Sequence, residues 1–77
     1  MKLQFDEKKT GKNIKAYRRQ WGWSKKELAE RAGVAVELVY HYENSPAVMN
    51  LYTIIQFANA LNVEPSWLLA WKQEDEE

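Results

Sequence analysis

Apolar positions recur at helical spacing along most of this chain. Ile14, Tyr17, Arg18 and Trp21 fall on one face at i, i+3, i+4 and i+7. Leu51, Ile54, Ile55, Ala58 and Leu61 make a second stripe, and Trp67, Leu68, Leu69 and Trp71 a shorter third. Between them lie two short amphipathic stretches with Leu28, Val34, Val39 and Tyr42 spaced to close on one another. No repeat and no β-signature of any length is visible. Leu3 and Phe5 alternate with polar neighbours only within a polar lead-in, which predicts either a short extended arm or a segment packed under the bundle. The pattern predicts an all-α, compact five-helix bundle.

Breakers and caps set the boundaries. The first helix begins between Asp6 and Gly11, with Asp6 and Thr10 both able to cap it, and Gly22 ends it. Trp23 fills the corner that follows. Ser24 caps the second helix, with Glu27 placed to complete a capping box, and that helix runs to about Ala32. Gly33, Val34 and Ala35 form the turn. The third helix spans about Val36 to Glu43, with Ala35 a weak cap, until Asn44-Ser45-Pro46 breaks it. Asn50 caps the fourth helix and Asn62 ends it, while Pro65 suits the first turn of the fifth. These boundaries divide the chain into an arm over residues 1–9, a domain over 10–71 and an acidic, disordered tail over 72–77.

Residues 24–43 are the centre of this plan. Ala29 is small where the second and third helices must approach, and Gly33 stands where the chain turns and a positive φ costs least. With Val39 six residues further on, this is the signature of a helix-turn-helix.

Composition narrows the function. Seventy-seven residues make one small domain, and 45% hydrophobic content with ten aromatics supplies a modest core. The chain has no cysteine, no apolar run long enough for a membrane span and no signal-peptide core in its first residues, so a cytoplasmic location without a membrane partner is expected. Within these 77 residues no effector domain is expected. The net charge of zero conceals a division: residues 1–31 hold ten Lys/Arg against four Asp/Glu, and residues 32–77 hold one against seven. The first half suits a polyanion. No nucleophile–base pair, paired-carboxylate constellation, phosphate-binding glycine loop or metal cluster is present, so neither enzyme activity nor a cofactor is expected.

The ordered set Gly11-x-x-Ile14, Tyr17-Arg18, Gly22-Trp23-Ser24, Glu27-Leu28-Ala29, Ala32-Gly33-Val34, Val39, Glu43-Asn44, Leu51, Ala58-x-x-Leu61-Asn62-Val63 and Trp67-Leu68-Leu69 resembles the phage-repressor and Cro-like helix-turn-helix family, also called the xenobiotic-response-element family. The match runs over about residues 10–70. It implies a lambda-repressor-like domain that binds double-stranded DNA as a twofold homodimer, its third helix in the major groove. The resemblance assigns base reading to Ala35, Val36, Glu37, Tyr40 and His41. It assigns phosphate binding to Ser24 and Lys25, at the positive end of the second helix, and to Asn44. Lys26 is equally well placed for phosphate, and Lys12 and Lys15 extend the strip. Arg18 and Glu43 match a structural ion pair joining the first helix to the reading helix.

Each residue also has a plainer reading. Glu37 either accepts from a cytosine amino group or is a first-turn acid favoured by the helix dipole. Val36 either meets a thymine methyl or is an exposed aliphatic. His41, the sole histidine, lacks partners for a metal and either donates to a guanine edge or is ordinary surface. Tyr40 could stack on sugar or donate to phosphate, while Tyr42 points inward. Trp71 is either packing or part of a self-association patch.

Three features depart from the family pattern. The stretch from Ser45 to Met49 has no Lys or Arg, with Ser45 where glycine is usual; the reading helix has no Gln, Arg or Lys; and the overall charge is neutral, so long-range attraction must come from the basic first half. The expected function is a sequence-specific regulator, a repressor of phage or mobile-element type, acting on a palindromic operator by blocking a promoter. The alternative is a protein-interaction module of the same fold, an antitoxin or phage regulatory partner, using Ala47, Val48 and Met49 or Trp67 and Trp71.

Overall fold

The structure, a computed structural model, describes residues 2–44 and 48–74. The expected break at Ser45 and Pro46, the Ala47 end of the apolar loop and the last three residues of the acidic tail lie outside the described residues. Five helices follow in order: α1 (Glu7–Gln20), α2 (Lys25–Ala32), α3 (Val36–Asn44), α4 (Leu51–Leu61) and α5 (Pro65–Leu68). They are flanked by two short strands, β1 (Lys2–Phe5) and β2 (Trp71–Glu74).

Local chemistry explains most boundaries. Of the two cap candidates for α1, Asp6 is the one used, its side chain accepting from the Lys9 N–H at 3.0 Å. The helix therefore starts ahead of Thr10. Ser24 caps α2 by accepting from the Glu27 N–H at 3.1 Å. The Glu27 carboxylate is taken instead by Arg31, whose Nε donates at 2.9 Å, so the expected reciprocal half of a capping box is displaced by an i, i+4 ion pair. Gly33 ends α2 at φ 73°, a left-handed cap that a Cβ would strain. Asn50 caps α4 through the Tyr52 and Thr53 N–H groups.

The core lies where α1, α2, α3 and α4 converge. Phe57, Ile14, Leu28, Ile54, Leu61, Leu68 and Val39 are fully buried in it, and Tyr42 joins edge-on to Phe57 with centroids 5.4 Å apart. The stripe expected on α4 is rotated: Ile54, Phe57, Ala58 and Leu61 are buried, whereas Leu51 and Ile55 face outward. Residues 54, 57, 58 and 61 follow the helical period, and Leu51 sits a turn before the core begins. Two helices cross closely at Gly11, where an added Cβ would fall on the Tyr42 carbonyl oxygen of α3.

The ends of the chain correct the expected plan. β1 and β2 form an antiparallel pair from Lys2 opposite Glu74 to Phe5 opposite Trp71. Residues 2–5 are thus a strand and 7–9 belong to α1, while 72–74 are strand rather than disordered tail. The fifth helix ends at Leu68. Leu69 is extended, and Trp71, expected on that helix, lies in β2. Three bonds impose this arrangement. The Asp6 N–H donates to the Ala70 carbonyl at 2.8 Å, the Ala70 N–H to Thr10 Oγ1 at 3.1 Å, and Asn13 Nδ2 to the Leu68 carbonyl at 3.0 Å. They bring the two ends side by side, and the ladder then satisfies backbone groups on both. Among the described residues, no helix is long and apolar enough to cross a membrane.

Candidate nucleic-acid interface

The residues expected to read bases sit on or beside a helix whose inner side is locked and whose outer side is exposed. Val39, Tyr42 and Glu43 anchor α3 in the interior. Glu37, Tyr40 and Asn44, at i, i+3 and i+7, face outward, and Tyr40 is 53% exposed. Ala35 is exposed just before the helix, and Val36 and His41 are half-buried at the margins of this face. Val36 belongs partly to the core, and the His41 ring meets Tyr42 edge-on at 5.9 Å.

An ion pair sets the position of α3. Arg18 on α1 donates to Glu43 from Nε at 2.8 Å and from Nη2 at 3.0 Å, a two-pronged match of guanidinium and carboxylate. Its Nη1 donates to the Trp23 carbonyl at 2.7 Å, which also fixes the corner leading into α2. The Glu43 side chain is wholly shielded and that of Arg18 nearly so, at 7%.

The four expected phosphate residues do not behave alike. Ser24 is exposed, but its hydroxyl already caps α2. Lys26 is exposed beside it, as is Asn44 at the far end of α3. Lys25 is held inward: its Nζ stands 3.9 Å from Glu43 Oε1 and 5.0 Å from the centre of the Tyr40 ring. The first turn of α2 and the outward face of α3 are therefore joined through one side chain. Lys12 on α1 is exposed and Lys15 half-buried.

Two features of the surroundings were not legible from spacing. Trp21 and Trp23 stack at 5.1 Å with planes 13° apart, and the Arg31 guanidinium lies 4.4 Å from a Trp23 ring. Trp21, half-exposed, also donates from Nε1 to the Leu61 carbonyl at 2.8 Å, bracing α1 against the end of α4. The second feature is an apolar groove of about 310 Å³ between Phe5, Met49, Leu51, Ile54, Leu69 and Trp71. Exposed Val48, Tyr52 and Ile55 belong to the same loop and helix.

Comparison with known proteins gives a consistent answer. The family model for the helix-turn-helix, HTH_3, matches residues 14–68. Comparison with curated protein sequences gives no match. Among solved structures, the restriction-modification controller protein C.AhdI from Aeromonas hydrophila is 30% identical with a TM-score of 0.77, covering 82% of this chain and 96% of its own. A hypothetical transcription factor from Neisseria, NHTF, is also 30% identical at a TM-score of 0.77, covering 84% of this chain and 76% of its own. SinR, a master regulator for biofilm formation solved in complex with DNA, is 33% identical at 0.72, covering 77% of this chain and 95% of its own. With its model matched across α2, α3 and the helices that hold them, this chain belongs to the helix-turn-helix family HTH_3.

Proposed function

We propose that this protein is a sequence-specific double-stranded DNA-binding transcriptional regulator, acting as a repressor and reading the major groove with α3. The observation that carries this reading is the outward face of α3: Glu37, Tyr40 and Asn44 are exposed on a helix locked from behind by Val39, Tyr42 and Glu43. Rigid presentation matters because base readout depends on side chains held at fixed angles to the groove. Ala35, Val36 and His41 flank that face. Ser24, Lys25, Lys26 and Asn44 engage phosphates at its two ends, with the first N–H groups of α2 adding their dipole. Kinship with C.AhdI, NHTF and SinR supports a regulatory role, and the DNA in the SinR structure supports duplex as the partner.

The protein acts as a homodimer, its two α3 helices entering successive major grooves about 34 Å apart on a roughly palindromic operator. The apolar groove lined by Leu51 and Trp71 supports association between copies, since Leu51 is 60% and Trp71 58% exposed on a small domain. The same groove favours the second reading, a protein-interaction module with weak or no DNA affinity.

Selection of bound sequences from a random duplex pool separates the two. Recovery of one motif with inverted half-sites a helical turn apart is the expected result. Failure to enrich any motif, together with no retention on duplex at low salt, would replace the regulator reading with the protein-binding one.

A further inference from the structure

Lys25 carries two attachments at once. Its ammonium stands 3.9 Å from Glu43 Oε1 and lies over the Tyr40 ring, 5.0 Å from the centroid. Glu43 does not depend on it, because Arg18 supplies two charge-assisted bonds at 2.8 and 3.0 Å. The Lys25 side chain is 23% exposed, so it can swing outward, and its departure strands no buried charge. Tyr40 is half-exposed on the outward face of α3. One cation thus lies between the helix end suited to phosphate and the ring suited to bases.

We propose that Lys25 is a shared ligand that couples backbone contact to base reading. In the free protein Glu43 and Tyr40 hold it. A duplex phosphate at the first turn of α2 withdraws it, and the Tyr40 ring is then released to meet the groove. The inference rests on the DNA-binding reading above and deepens it, making Lys25 a positioning residue for Tyr40 as well as a phosphate ligand. It has an unusual consequence: Tyr40 competes with phosphate, so deleting a ring from the reading helix strengthens sequence-independent binding.

The test is anisotropy titration of a labelled duplex of arbitrary sequence at low salt, using wild type, Tyr40→Leu, Lys25→Met and the double variant. Tyr40→Leu is expected to tighten binding about two- to five-fold, the range of an exposed cation–ring contact. In the Lys25→Met background the same change is expected to do nothing. Lys25→Met alone reduces the salt slope by about 1. A second readout needs only the wild type. The Lys25 ε-methylene protons, next to the ammonium that lies over the Tyr40 ring, are expected to resonate upfield in the free protein and to move downfield as duplex is added.

Weaker binding by Tyr40→Leu, or an equal change in both backgrounds, overturns the coupling while leaving the DNA reading intact. Lysine protons that show no upfield shift, or that stay in place on adding duplex, overturn it as well. Absence of any duplex binding by the wild type removes both the coupling and the reading on which it rests.

Discussion

Arg18 and Glu43 illustrate how a single pair can matter more than its net energy implies. Removing two charges from water is costly, so the pair adds little stability over a well-packed apolar substitute. Removing one partner is different, because the other charge stays shielded in a closed site. Arg18→Met should lower unfolding stability by about 3 kcal/mol in a urea titration. That is the low end for a shielded charge losing its partner, because Lys25 stays 3.9 Å from Glu43. Adding Glu43→Leu should recover much of that loss. Strict additivity of the two changes would show that they do not share a site. The resemblance made this pair legible, because both positions match its pattern. The tether of Lys25 was not legible, since it depends on how α3 swings Tyr40 over the first turn of α2, which no spacing along the chain encodes. Glu27 is a different case: both Ser24 and Arg31 stand at readable local spacings from it, and its carboxylate takes the i, i+4 cation.

Among the elements, helices with strong end signals could be read directly. Ser24 and Asn50 cap the helices they were expected to, Asp6 is the one of two candidates that caps α1, and Gly33 and Asn62 end theirs with positive φ. Asn50→Ala removes the acceptor for two N–H groups and should cost about 1 kcal/mol, measured by thermal unfolding. No change in melting temperature would mean that water serves these groups equally well. The phase of α4 was harder, because Leu51, Ile54, Ile55 and Phe57 offer more apolar residues than one helical face can bury. Ile54 and Phe57 are buried, and Leu51, left exposed, lines the groove together with one edge of Ile54. The two strands were invisible for a related reason: each has four residues, and their pairing joins the two ends of the chain. Local periodicity carries no trace of so distant a partner, although Thr10 and Asn13 supply the side-chain bonds that bring the ends together.

At the scale of the whole molecule, two different surfaces suit two different tasks. One is polar, with Ser24, Lys26 and the outward side of α3, where Glu37, Tyr40 and Asn44 are exposed. The other is apolar, with Leu51, Trp71 and the groove between them. Leu51→Lys should leave the fold intact, since the side chain is 60% exposed, and should shift sedimentation toward the monomer. A monomeric wild type, or a variant that associates as strongly, would remove the groove from the dimer. Whether the first surface meets DNA is read from backbone amide NMR during titration with a short duplex at low salt. Shift changes concentrated at residues 24–26 and 35–44 are expected, with the strands and α4 little changed. Changes confined to the strands and α4, or none anywhere, would contradict DNA binding through that surface.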